Sequence, residues 1–319
     1  MRRGLIIYNP VSGLSSAYDE LIRARAYLAE HGWSIDIEQT NGPGDAGRLA
    51  REAAHAGLYA ALIAGGDGTL NEAVNALVGT ETAVGVLPCG TGNMWARQLG
   101  IPFSVWRLRD AARSMDRASV RTVDVGRVTV RAGSPEAVSR YFLLWSGVGL
   151  DGRIIRSIEP RPPWFKRWGI ISYALAALRI GVGYLGAQAE IEIDGRSLSE
   201  HVVMIVVCNA DLYAGVFHLA PEARLDDGCL NVSIIRGWGI GAVAGYFARV
   251  LLRHHVRVPS LVTLPARHVR IVTHPTSDVH VDAEPLGSSP VECSIAPRAL
   301  RVLVAPHAPA ALFEPVRER

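Results

Sequence analysis

The stretch that most constrains this chain is an apolar run, Tyr59-Ala60-Ala61-Leu62-Ile63, passing into Ala64-Gly65-Gly66-Asp67-Gly68-Thr69-Leu70-Asn71-Glu72. A short apolar run bounded by glycine reads as a buried strand. Glycines around a carboxylate read as a tight turn, and a helix is expected to start at once. Thr69 is placed to cap that helix, with Glu72 three residues on to complete a capping box. A strand–turn–helix junction of this kind belongs to layered α/β folds. Glycine leaves backbone N–H groups open to an anion, and a helix N-terminus adds a favourable dipole. Asp67 alone reads equally as an Asx-type turn residue. The glycines on both sides and the helix behind favour a second role, holding a divalent cation against phosphate oxygens. The loop therefore suits a nucleoside triphosphate with Mg²⁺.

Two further junctions repeat the pattern. Ala83–Pro88 reads as a strand, Cys89-Gly90-Thr91-Gly92-Asn93 as a turn, and Met94–Leu99 as a short helix closed by Gly100. Leu5–Tyr8 reads as a strand followed by Asn9-Pro10-Val11-Ser12-Gly13. Each alone reads as a structural turn. Strand C-termini of an open α/β sheet line one crevice, however, so the three loops are expected to converge on one ligand. Between them lie a helix near Ala17–Glu30, a strand at Trp33–Gln39 ending before Thr40, and a helix at Asp45–Ala56 stopped by Gly57. This alternation predicts a parallel sheet up to about residue 122.

From residue 123 to about 304 the texture is β-rich. Strands are expected at Thr122–Val130, Tyr141–Trp145, Glu190–Ile193, Val202–Val207, Leu230–Ile235, Val269–Thr273 and Val279–Val281. A mostly antiparallel sandwich is the simplest packing for them. Two helices interrupt, at Ile170–Arg179 and Ile240–His254, and the tail from Pro306 reads as a surface terminus.

Composition narrows the function. Of 33 basic residues only Lys166 is lysine, and no lysine lies near a glycine-rich turn. This excludes a Walker-type P-loop and the strand lysine of protein kinases. Phosphate charge is then left to Mg²⁺, backbone N–H groups and arginine. A net charge of +3 over 319 residues is too mild to argue for nucleic acid. Cys89, Cys208, Cys229 and Cys293 show no zinc or disulfide spacing, which fits a reducing cytoplasm. Only Leu5-Ile6-Ile7 follows Met1-Arg2-Arg3, too short for a signal peptide, and no uncharged apolar run reaches membrane-spanning length.

Asn9-Pro10 with Ser12-Gly13, Gly65-Gly66-Asp67-Gly68-Thr69 and Gly90-Thr91-Gly92-Asn93 resemble the signature loops of the diacylglycerol kinase catalytic-domain family, which includes bacterial lipid kinases, sphingosine kinases and ceramide kinases. Gly147-Val148-Gly149-Leu150-Asp151 resembles that family's middle-domain turn. Leu219–Gly228 matches a family loop, and Val281-Asp282-Ala283-Glu284-Pro285 is similar to its late Asp-Gly-Glu. The resemblance runs from residue 5 to about 286. It implies a Rossmann-like α/β nucleotide domain, with the last residues (about 305–319) returning to it, followed by an antiparallel β-sandwich.

The same resemblance implies that Asn9, Pro10, Ser12, Gly13, Thr40, Gly65, Gly66, Asp67, Gly68, Thr69, Asn71, Glu72, Gly90, Thr91 and Asn93 bind ATP. It further implies that Asp67 holds Mg²⁺, and that Asp227 with the carbonyls of Arg224 and Cys229 holds a structural cation. Glu284 resembles the catalytic base, with Asp282 in support. Placed two apart on an extended segment, these two carboxylates would point the same way. On spacing alone they read as a solvated pair. Two positions depart from the family: Met94 stands where many members have Asp, and Ala283 where they have Gly.

Pro162-Pro163-Trp164-Phe165-Lys166-Arg167-Trp168 has the composition of an interfacial anchor, and equally of a surface loop. The expectation is an ATP-dependent lipid kinase, cytoplasmic or peripheral at the inner face of the plasma membrane, which turns diacylglycerol into phosphatidic acid. An NAD kinase-like phosphotransferase and a catalytically impaired nucleotide-binding regulator remain alternatives, and a homodimer stays open.

Overall fold

A computed structural model describes residues 1–12, 17–158, 179–181, 183–213, 217–239, 241–242, 245 and 261–315. The expected helices at Ile170–Arg179 and Ile240–His254, and the Trp164–Trp168 segment, lie wholly or mostly outside the described residues. The chain forms two compact units. The first is Met1–Val125 with Leu225–Asp227 and Pro297–Arg319; the second is Gly126–Arg224 with Gly228–Ala296.

The first unit opens with β1 (Arg2–Tyr8), α1 (Ala17–Glu30), β2 (Trp33–Gln39), α2 (Asp45–His55), β3 (Ala60–Gly65), α3 (Asp67–Leu77), β4 (Ala83–Pro88), α4 (Met94–Gln98) and α5 (Leu108–Asp116). The strands form a parallel sheet in the order β4-β3-β1-β2. β3 and β4 are buried along their whole length, as central strands covered on both faces must be, and their sequences are accordingly almost wholly apolar. β2 alternates buried and open at its start, which suits an edge. One stripe of α2, including Ala46, Leu49, Ala50 and Ala53, is buried.

Helix α3 starts three residues earlier than the sequence predicts. Asp67 is already helical, Gly66 occupies the N-cap in an extended conformation, and no side chain caps the end. The expected capping box of Thr69 and Glu72 therefore does not form, because both residues lie inside the helix. The tail is also tied down rather than free: Leu312 and Phe313 are buried, and Leu225 N–H bonds the Leu312 carbonyl at 2.7 Å.

The second unit is an antiparallel sandwich. Its elements are β5 (Ser119–Val130, shared with the first unit), β6 (Val138–Phe142), β7 (Trp145–Gly149), α6 (Leu150–Ile158), β8 (Ala187–Ile193) and β9 (Arg196–Cys208). They continue with β10 (Leu212–Tyr213), β11 (Phe217–His218), β12 (Leu230–Arg236), β13 (Leu261–Ala266), β14 (His268–His274), β15 (Asp278–Val281), β16 (Glu284–Ser288) and β17 (Val291–Val304, also shared). The first half of β9 pairs with β8 and its second half with β7 and β12, so one long strand joins three partners. Val128, Phe142, Ile191, Ile205, Val232, Ile271 and Val281 belong to the apolar core.

Two readings need correction here. Tyr141–Trp145 is not one strand: β6 ends at Phe142 and β7 starts at Trp145. Gly147–Asp151 is not a turn but the end of β7 and the start of α6.

Candidate functional site

In the first unit the three expected loops meet. Asn9 Nδ2 donates to Thr69 Oγ1 at 2.8 Å, joining the loop after β1 to the first turn of α3. Gly66 and Gly90 touch backbone to backbone: a β-carbon on Gly90 would fall 2.6 Å from Gly66 Cα. Only glycine at position 90 permits this approach, so Gly90 serves loop–loop packing as well as any ligand. A β-carbon on Gly66 would lie 3.9 Å from Ser12 Oγ, which brings the first loop against the same pair. Thr40 N–H bonds the Tyr8 carbonyl at 2.8 Å and sets Thr40 at the same edge of the sheet.

The carboxylate of Asp67 bridges two loops. Its Oδ1 accepts the Met94 N–H at 2.7 Å and lies 3.5 Å from the Trp95 nitrogen, so it closes the first turn of α4. A β-carbon on Gly92 would lie 2.8 Å from its Oδ2. The local-turn role and the cation role of Asp67 were alternatives in the sequence; the bonds observed are to backbone 27 and 28 residues away.

Several expected binding residues brace the site. Asn93, left-handed and buried, accepts Gly90 N–H and donates to the carbonyls of Gly90 and Phe103. Asn71 is buried and accepts from Asn75 at 3.1 Å. Pro10 and Thr91 are exposed, Gly65 is buried, and Gly68 and Glu72 are half-buried. Gly13 lies outside the described residues. Beneath the loops, burial pushes the Cys89 thiol up to about 12 and raises the Tyr8 hydroxyl, so both are neutral.

In the second unit, Asp282 and Ala283 are not extended. Both have positive φ, 44° and 65°, and form the two-residue turn joining β15 to β16, with Val281 opposite Glu284. Their expected side-by-side projection therefore fails. The buried Asp282 carboxylate instead accepts the N–H groups of Leu143, Leu144 and Trp145 at 2.9, 3.0 and 3.1 Å. These bonds interrupt the strand expected at Tyr141–Trp145. Glu284 opens β16 and pairs with Arg140 at 2.7 Å, both side chains about a third exposed (36% and 35%).

A buried pair beside them escaped the sequence reading. His280 Nε2 and Asp151 Oδ2 lie 2.6 Å apart, His280 is fully buried, and a β-carbon on Gly147 would collide with both. A histidine within a short apolar strand carries no local signal of such a partner 129 residues away.

Asp67 belongs to the first unit and Glu284 to the second; Asp227 belongs to the first, Arg224 and Cys229 to the second. Asp226 Oδ1 accepts Glu314 N–H at 2.7 Å. Among the described residues no group of three His, Cys, Asp or Glu side chains could hold a metal, and no helix is long and apolar enough to cross a membrane.

Comparison with known proteins adds an independent line. Residues 3–128 match the diacylglycerol kinase catalytic domain, and residues 147–304 match the YegS C-terminal NAD kinase beta sandwich-like domain. A diacylglycerol kinase of Bacillus subtilis (strain 168) is 28% identical over 295 residues, covering 92% of this chain and 93% of that protein. One of Staphylococcus carnosus (strain TM300) is 26% identical, covering 91% and 90%. Among solved structures, a diacylglycerol kinase from Bacillus anthracis str. Sterne aligns with a TM-score of 0.71 at 21% identity, over 97% of this chain and 98% of that one. Yeast NADH kinase complexed with NADH aligns with a TM-score of 0.51 at 11% identity, over 97% and 84%. These structural likenesses speak for the fold: a Rossmann-like α/β unit and a β-sandwich of the NAD kinase type.

Proposed function

Because the chain belongs to the diacylglycerol kinase catalytic-domain family, we propose that it transfers the γ-phosphoryl group of ATP to a lipid hydroxyl, with diacylglycerol as acceptor and phosphatidic acid as product. The observation that carries this reading is the meeting of three loops at the carboxyl ends of β1, β3 and β4, through the Asn9–Thr69, Gly66–Gly90 and Asp67–Met94 contacts. Nucleotides bind at that edge of open α/β sheets. The reaction needs a nucleotide held in line, cationic neutralisation of phosphoryl oxygens, and a base for the acceptor hydroxyl.

This chain's residues divide those tasks. The amide groups of Thr91 and Gly92 make no hydrogen bond to a described residue and are the backbone donors proposed for phosphate oxygens. Mg²⁺ is a hard cation that takes oxygen ligands, and Asp67 supplies a carboxylate within the loop cluster, so the donor chemistry fits. When bound there it neutralises charge on the phosphates. Asp227 is the carboxylate proposed to hold a structural cation. Glu284 is the proposed base: its carboxylate is kept partly open to solvent and is oriented by Arg140. Asp282 supports it by fixing the turn that carries it.

With ATP as donor and a membrane lipid as acceptor, the proposed location is the cytoplasm or the inner face of the plasma membrane. The deciding experiment incubates the protein with labelled ATP, Mg²⁺ and extracted membrane lipids, then identifies the labelled product. Labelled phosphatidic acid is expected. Label in another lipid would change the acceptor. Label in NADP after addition of NAD, with none in lipid, would replace the reading by a nicotinamide-nucleotide kinase.

A further inference from the structure

No lysine lies near the glycine-rich turns in the sequence, which leaves open which side-chain cation meets the phosphates, and one arginine of the loop cluster is held in place. Arg97, on α4, donates its Nε–H to the Gly92 carbonyl at 3.0 Å, and its guanidinium carbon lies 4.0 Å over the centre of the Phe103 ring. One edge and one face of the guanidinium plane are thereby fixed. Phe103 is itself anchored, since its carbonyl accepts from Asn93 Nδ2 at 3.2 Å. No hydrogen bond or ion pair from a described residue engages the two terminal amino groups of Arg97.

An arginine fixed through Nε and by ring stacking loses little further freedom on binding. It presents the planar pair of donors that fits a phosphate in a bidentate manner. Its tether, Gly92, belongs to the turn whose Thr91 and Gly92 amide groups lack partners among the described residues. The first amide groups of α4 are by contrast already taken by the Asp67 carboxylate. An anion arriving at this turn therefore meets three unengaged donors: two backbone N–H groups and one guanidinium.

We infer that Arg97 is a phosphate-binding residue, offering its two terminal amino groups to a phosphate group seated at Thr91–Gly92. The phosphate can come from a nucleotide or from a lipid headgroup, and the recognition chemistry is the same. The nucleotide case rests on the phosphotransfer reading above. It is read by binding rather than turnover, so the two can fail separately.

The test uses the full chain, as wild type, Arg97→Ala and Arg97→Lys, with melting temperatures measured alongside. Calorimetry with ATP and with adenosine gives the first arm, and cosedimentation with phosphatidylglycerol vesicles gives the second. The expected result is ATP affinity reduced about ten- to a hundredfold in Arg97→Ala, with adenosine affinity unchanged. Arg97→Lys should fall between, because an ammonium keeps the charge and loses the planar fork. A loss confined to vesicle binding supports the same chemistry and assigns the phosphate to a lipid headgroup. ATP and adenosine weakened equally would make Arg97 a brace of the loop and overturn the proposal. So would unchanged affinity in both arms. Should Arg97→Ala misfold, Arg97→Lys and Phe103→Leu decide the question by the same readouts, Phe103→Leu being expected to weaken ATP binding less than Arg97→Lys.

Discussion

At the scale of single residues, three carboxylates of similar sequence appearance have different surroundings. Asp67 accepts N–H groups from a second loop, Asp282 accepts three from the junction between β6 and β7, and Glu284 faces an arginine. Asp67→Asn keeps an acceptor for Met94 N–H but gives up the charge. It should leave the melting temperature nearly unchanged and abolish most turnover. Full activity in lipid assays would remove Asp67 from the phosphotransfer step. Glu284→Gln keeps size and the bond to Arg140. ATP affinity should hold in calorimetry, while turnover in mixed micelles falls by about 10²–10⁴, as for loss of a general base. Lost ATP affinity would instead make Glu284 a ligand of the nucleotide or its cation. Asp282→Ala differs in kind, since it strands three N–H donors in a buried site. A loss of about 3–5 kcal/mol in denaturant unfolding is expected.

At the scale of elements, the chain makes the same hairpin turn twice and supplies a comparison within itself. Asp194-Gly195 joins β8 to β9 with φ of 47° and 82°, and Asp282-Ala283 joins β15 to β16 with 44° and 65°. Glycine adopts the second position freely, whereas alanine there costs about 1 kcal/mol. Ala283→Gly should therefore raise stability by up to about 1 kcal/mol, reduced by the lost methyl contact with Ile155 and Ile158. A lower melting temperature would show that this contact outweighs the turn strain. The loop pair of the first unit is less forgiving. Gly90→Ala places a methyl against the Gly66 backbone and should cost about 1–3 kcal/mol while weakening ATP binding.

At the scale of the molecule, two units with separate cores carry buried thiols that report on each. Burial pushes Cys293 up to about 12 and raises Cys208 further, both in the second unit, while Cys89 marks the first. A buried neutral thiol reacts only when its surroundings open. Native protein treated with a thiol reagent at mildly alkaline pH should label the half-buried Cys229 first. Cys208 and Cys293 should then follow at one common rate. Different rates for those two would mean that the sandwich does not open as one cooperative body.

Most strands and helices of the first unit were legible because their signals are local; α5 was not. Glycine stops helices after His55 and Gln98, apolar runs mark β3 and β4, and a strand followed by a glycine turn recurs three times. The strands of the sandwich were legible where β-branched residues cluster. β13, β16, β17 and the helix α6 were not, having mixed patterns that become regular only against their neighbours. The candidate residues of the three loops were likewise legible as a set, since glycine-rich turns at strand ends share one edge of any parallel sheet. What each carboxylate bonds to was decided by the tertiary structure alone. A hydrogen bond requires its donor within about 3 Å. For Asp282 those donors lie 137 to 139 residues away along the chain, at a distance no sequence window spans.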